Sequence, residues 1–172
     1  MTANEFECNV MAEAELQNLI AFLAETPTVV RQLIGELSAD EARQRPAANE
    51  FSALEQACHL RDIERDGYAV RLHRLLGADE PVLPDIDGAH LARERDYQSQ
   101  DFAAALEAFA QARSENMTLI KTLSPDQLQL GGTLESVGRV TLAQLLEMMR
   151  AHDEEHYAEL RTLGAWLSTQ RN

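Results

Sequence analysis

The chain has 172 residues and carries 29 Asp+Glu against 15 Lys+Arg, a formal net charge of −14 with 45% apolar and 26% charged residues. A chain of this length buries enough surface to fold as one domain without disulfides or a metal staple. Its surplus of acid excludes the clustered Lys and Arg that nucleic-acid phosphates and anionic membranes require.

The first ten residues have neither the basic nor the apolar region of a signal peptide, and no apolar run approaches the ~20 residues of a membrane span. Two cysteines, Cys8 and Cys58, make no disulfide framework. The expectation is a cytoplasmic protein with no nucleic-acid or membrane partner.

Four capping boxes punctuate the sequence, beginning at Ser38, Ser52, Ser124 and Thr141 with Glu41, Glu55, Gln127 and Gln144 three residues on. In each, the hydroxyl can accept from an orphaned N–H of the first turn, and the Glu or Gln can reach back to the cap residue. A first helix is expected from about Val10 to Leu37, with Leu16, Leu19, Leu23, Val30, Leu33 and Leu37 on one side. Pro27 inside it predicts a kink, or a restart with Thr26 as cap. A short helix follows Ser38. The second long helix runs from about Ala53 to Leu76 and stops at Gly77. The connection from Gly77 to Gln100 is long, which marks it as functional or locally structured. A third helix spans about Phe102 to Leu123, with Phe102, Leu106, Phe109, Ile120 and Leu123 inward. Another short helix follows Ser124. Residues 131–140 read as an extended segment or hairpin, with no sheet expected. The fourth long helix runs from about Leu142 to Leu167. The fold expected is all-α, a single four-helix bundle with short extra helices in its connections.

Histidines interrupt the apolar rows. On the fourth helix the inward row reads Leu142, Leu145, Met149, His152, His156, Leu160, Leu163, in steps of three and four. One turn apart, His152 and His156 can offer two imidazoles to one ion. His59 shares an inward face with Ile63 and Val70. Three inward imidazoles from two helices form a donor set for a divalent metal, zinc or nickel foremost, with a position left open to water or substrate. The plainer alternative is three hydrogen-bonded core histidines. Glu55, Asp62, Asp153 and Glu155 flank the histidines and are candidates to fix their tautomers.

Other residues read more plainly. His73 belongs to the surface and His90 to a solvated loop. His152-Asp153-Glu154-Glu155-His156 has Asp where the H-E-x-x-H peptidase pattern needs its Glu base, and a lone Asp153-x-x-His156 falls short of a di-iron site. Cys58 points about 100° away from His59 and packs. Arg61, Arg65, Arg71 and Arg74 form a solvated, salt-bridged face or, functionally, a grip on an anionic substrate. Tyr157 and Trp166 are packing residues or part of an oligomer contact.

The segment Phe51-Ser52-Ala53-Leu54-Glu55-Gln56-Ala57-Cys58-His59-Leu60-Arg61-Asp62 resembles the W-S-x-x-E-x-x-x-H-L-x-D motif of the DinB-like metalloenzymes, with Phe51 in place of the usual Trp. His152-x-x-x-His156 is similar to the family's second motif, and Leu37-Ser38-Ala39-Asp40-Glu41 with Arg45-Pro46 resembles its lead-in. The resemblance implies a four-helix bundle, often dimeric, in which His59, His152 and His156 hold a divalent metal. It also implies chemistry on a small-molecule substrate. Characterised members include bacillithiol transferases and mycothiol-dependent maleylpyruvate isomerase, so a low-molecular-weight thiol is an expected cofactor, ionised to its nucleophilic thiolate. A metal-assisted hydrolase and a non-catalytic, stress-related metal-binding bundle are the competing expectations.

Overall fold

The computed structural model describes residues 13–171; Cys8 and the expected helix start near Val10 lie outside them. Four long helical segments form the bundle. They are α1 (Glu13–Ile34), the continuous run α3 (Ala53–Asp62), a π-helix (Ile63–Tyr68) and α4 (Ala69–Gly77), then α6 (Phe102–Ile120) and α7 (Leu142–Gln170). The connections carry α2 (Ala39–Ala42), α5 (Gly88–Glu94) and two 3₁₀ turns, Tyr97–Ser99 and Gln127–Gln129. Ser38, Ser52 and Thr141 each make the reciprocal bonds of a capping box at α2, α3 and α7. Ser124 and Gln127 make the same pair of bonds, but only a 3₁₀ turn follows.

Two expectations are corrected. A small sheet exists: β1 (Val82–Leu83) pairs parallel with β2 (Gly131–Leu134), which pairs antiparallel with β3 (Gly138–Thr141). Two residues of β1 are too few to read as a strand from periodicity, and they gain definition only by lying along β2. Gly138, at φ +99°, supplies the left-handed residue that opens β3. The strand then runs straight into the Thr141 cap of α7.

Pro27 does not restart α1, since the helix continues through it. Proline offers no N–H to the carbonyl four residues earlier. That carbonyl belongs to Leu23, and Nη1 of the buried Arg113 donates to it at 2.9 Å. The guanidinium on α6 thereby replaces the bond that proline removes from α1. Thr26 is no cap; its hydroxyl meets the Asp153 carboxylate at 2.8 Å.

The apolar core has two halves. One contains Leu16, Leu19 and Leu23 of α1, Leu72 and Leu75 of α4, and Leu142 to Met149 of α7. The other contains Val30 and Ile34, Leu54 and Leu60, Phe102 to Phe109, and Leu160 to Leu167. Between them along the helices lies a belt of buried polar side chains. Arg113 donates from both Nη atoms to Asp153, at 2.7 and 2.9 Å, and from Nη2 to Glu64 at 2.7 Å. Asn116 donates to Glu64 at 2.7 Å, and the Tyr157 hydroxyl donates to Thr26 at 2.9 Å. Each of the four long segments contributes to this belt.

The π-helix supplies Glu64. Asp62, Ile63 and Glu64 are all buried where α3 passes into it. The wider π turn carries them past one another and shifts the register of α4 relative to α3, which unbroken helical periodicity from Ala53 to Leu76 does not anticipate.

Candidate metal centre

His59 enters from α3, and His152 and His156 from adjacent turns of α7, all at the level of the polar belt. His156 is buried, and the other two are largely so. The His152 Nε2 lies 3.4 Å from the His59 Nε2 and 3.1 Å from the His156 Nε2. One candidate ligand nitrogen from each ring falls within 4.8 Å of the others. No Cys, Asp or Glu joins this group among the described residues.

The tautomer of His156 follows from its partners. Its Nδ1 lies 2.5 Å from the Gln56 Oε1 and 3.2 Å from the Glu159 Oε2. The Gln56 Nε2 donates to that same carboxylate oxygen at 2.6 Å, which fixes the amide with its oxygen toward the imidazole. Carboxylate and amide oxygens only accept, so Nδ1 carries the proton and Nε2 presents its lone pair to the other two rings.

Hydrogen bonding among the three rings cannot satisfy them. The central His152 Nε2 either donates one proton or accepts one, so only one of its two short contacts can be a hydrogen bond. The Nδ1 atoms of His59 and His152 are buried without a hydrogen-bond partner among the described residues. Burial and neighbouring imidazoles pull His59 down to about 4 and His152 to about 2, with the Arg113 charge adding to the latter. Both are neutral at pH 7. Converging neutral imidazoles at 3.1 and 3.4 Å suit nitrogens that share one divalent cation at bonds of roughly 2.0–2.1 Å. The donor set therefore fits a metal.

The flanking acids have other work. Glu55 returns its carboxylate to the Ser52 N–H, as a capping box requires, and pairs with Arg45 and Gln98. Asp62 is held by Arg61, Arg95 and the Tyr97 hydroxyl. Asp153 belongs to Arg113 and Thr26. Glu155 is exposed. None of the four touches an imidazole; Gln56 and Glu159 do. Glu159 sits three residues after His156, a spacing that places it on the same helix face, whereas Gln56 comes from α3 and had no local signal.

Nor do the four arginines of the second segment make a solvated face. Arg71 is buried and donates twice to the Pro84 carbonyl, and Arg61 is largely covered by its bonds to Asp62 and Gln100. Only Arg65 and Arg74 are exposed. Cys58 is buried, its thiol pushed up to about 11 by desolvation, as befits a packing residue. His90 stands exposed on α5 beside Glu94 at 3.6 Å.

The long connection covers the centre. A Cβ at Gly88, the first residue of α5, would lie 2.5 Å from the His59 Cε1 and 2.7 Å from its Nδ1, so this backbone rests directly on the ring. The Phe51 ring stands 5.7 Å from the His59 ring, and Tyr68 meets His152 edge-on at 6.1 Å. A cleft of about 700 Å³ opens beside the histidines, walled by Phe51, Gln56, Glu159, Leu163 and Trp166.

Comparison with known proteins agrees with this architecture. The model of the DinB superfamily matches residues 23–160, from α1 through His156 to one turn beyond it in α7. A solved structure, YfiT from Bacillus subtilis, is described as "a probable metal-dependent hydrolase with an unusual four-helix bundle topology". It shares 17% identity with a TM-score of 0.84, covering 98% of this chain and 94% of that one, and at such identity the likeness speaks for the fold. No curated protein sequence matches the chain. No helix among the described residues is long and apolar enough to cross a membrane. With the bundle, the order of its motifs and a family match over most of its length in agreement, the chain belongs to the DinB superfamily.

Proposed function

We propose that the protein is a divalent-metal-dependent enzyme that directs a nucleophile onto a small electrophilic substrate, with His59, His152 and His156 holding the metal. The observation that carries this reading is the convergence of three neutral imidazoles with no fourth protein ligand in the group among the described residues. A structural site would be closed by a fourth ligand, whereas three leave a position for chemistry. Bound there, a divalent ion supplies Lewis acidity that lowers the pKa of a coordinated thiol or water near neutrality.

The protein's own residues set the conditions. Gln56 and Glu159 hold the proton of His156 on Nδ1 and keep its Nε2 available. Gly88 and Phe51 fix the His59 ring and exclude water from that side. Among the described residues no carboxylate joins the three nitrogens, and Asp153 is tied to Arg113 and Thr26. A nucleophile that needs no residue as base suits such a site, and a low-molecular-weight thiol, with a pKa near 8.5, ionises more readily than water. Thiol transfer is therefore the preferred reaction. Metal-assisted hydrolysis is the second reading, suggested by the description of YfiT.

Elemental analysis of the purified wild type beside His59→Ala, His152→Ala and His156→Ala tests the metal, with about one divalent ion per wild-type chain expected and loss in each variant. Mass-spectrometric product analysis with a thiol and an electrophilic ester separates S-transfer from hydrolysis. A metal-replete preparation that binds no ion would end the proposal.

A further inference from the structure

The cleft beside the histidines has a chemical character of its own. Phe51 and Trp166 give it aromatic walls, Leu163 an aliphatic one, and Glu50 and Glu159 two carboxylates; neither Lys nor Arg lines it. It touches the metal centre at two points. Phe51 stands against the His59 ring, and Glu159 and Gln56 hold the His156 Nδ1. Both of these interactions of Glu159 use Oε2, so Oε1 accepts no hydrogen bond among the described residues, and the side chain is 48% exposed. The adjoining cleft does contain Arg45 and Arg93; the Arg45 charge is already paired with Glu55, and Arg93 does not line the cleft beside the histidines.

From this lining we infer that the substrate, or its bound portion, is an apolar group carrying an ammonium, seated with its apolar body between Phe51 and Trp166 and its cation at Glu159. Carboxylates beside aromatic faces attract such a cation through charge pairing and through the ring quadrupoles. The net charge of −14 adds long-range steering in the same direction and opposes anionic ligands. The cleft gives a carboxylate or phosphate group no cation to meet. This names the substrate class of the metal centre proposed above and rests on that reading.

Trp166 is the chain's single tryptophan, so its emission reports on the cleft directly. The test titrates zinc-loaded and zinc-free protein at pH 7.5 with 2-phenylethylamine, 2-phenylethanol and 3-phenylpropionate, which share one ring and differ in charge. The amine is expected to bind at least ten-fold more tightly than the alcohol, and the carboxylate more weakly than either. Glu50→Gln, at an exposed position, should reduce the preference severalfold, and the Glu50→Gln/Glu159→Gln pair should abolish it. Equal binding of the three probes, a preference for the carboxylate, or an amine preference that survives in the double variant overturns the inference. Amine selectivity in a protein that takes up no zinc would keep the cleft assignment and remove the metal-enzyme reading. Zinc uptake without amine selectivity would do the reverse.

Discussion

Replacing Arg113 with methionine tests the polar belt on which the histidines rest. The guanidinium is 1% exposed and donates four hydrogen bonds, to Leu23, Glu64 and twice to Asp153. Methionine fills similar volume but leaves two buried carboxylates without their cation. Breaking a buried pair costs about 3–5 kcal/mol. The Leu23 carbonyl also loses its only replacement for the Pro27 N–H, at about 1 kcal/mol. The expected loss is about 4–6 kcal/mol, which in a domain of this size lowers Tm by roughly 10–20 °C. Thermal unfolding followed by circular dichroism at pH 7.5 and pH 5 measures it. Desolvation already pushes Glu64 upward, and without Arg113 its carboxyl rises further above its unfolded value. The folded variant then binds more protons than the unfolded chain, so its deficit narrows as pH falls toward 5. Arg113→Lys, which keeps the charge but not the planar fork, should fall between wild type and methionine. A deficit below about 1 kcal/mol, or one that grows on acidification, refutes the argument.

Three further outcomes follow from the centre itself. Gly88→Ala should favour α5 locally yet push the His59 ring, since the new Cβ would sit 2.5 Å from Cε1; chelator competition should show metal affinity reduced about 10–100-fold with the helical content unchanged. Gln56→Leu removes one acceptor of the His156 Nδ1 proton and should weaken metal binding by a comparable factor, measured the same way. In metal-free protein, His59 and His152 titrate at about 4 and about 2, below the unfolded value near 6.5, so the unfolded chain binds more protons and stability falls as pH drops from about 6.5 toward 4. Each ring contributes a slope of at most about 1.4 kcal/mol per pH unit, and His152→Ala should flatten the profile of denaturant midpoint against pH.

What the sequence disclosed and what it withheld differ in physical range. The rows Leu142 to Leu163 and Phe102 to Ile120 are local periodicities, and a histidine within such a row stands out because its neighbours are apolar. The Ser38, Ser52 and Thr141 caps are legible for the same reason, as both partners lie within four residues. The outer partners of the histidines are less legible, because proximity in sequence does not stand for proximity in space. Glu55 is one turn from His59, but as the third helical residue of a capping box its carboxylate turns back to Ser52. Asp153 follows His152 immediately and so lies about 100° around the helix, facing Arg113. Gln56 reaches His156 from another helix, 100 residues away in sequence. The π-helix and β1 are equally hidden: the first is a register shift that helical periodicity does not mark, and the second is defined by its partner strand.

The position of the metal centre within the bundle follows from the belt. Thr26 on α1, Glu64 in the π-helix, Arg113 and Asn116 on α6, and Asp153 on α7 form one connected network that joins all four long segments. Sliding the segment that bears Glu64, Arg113 or Asp153 by a turn, about 5.4 Å, would carry its charge into an apolar half of the core, at a cost of several kcal/mol. An all-apolar core sets no such penalty, because leucine rows slip past one another with modest loss. His152 precedes Asp153 directly, so the register that Arg113 imposes on α7 is also the register that brings the His152 and His156 nitrogens within 3.4 Å of their neighbours. The belt need not add net stability to serve this end; it fixes where α7 lies, and the imidazoles inherit that precision.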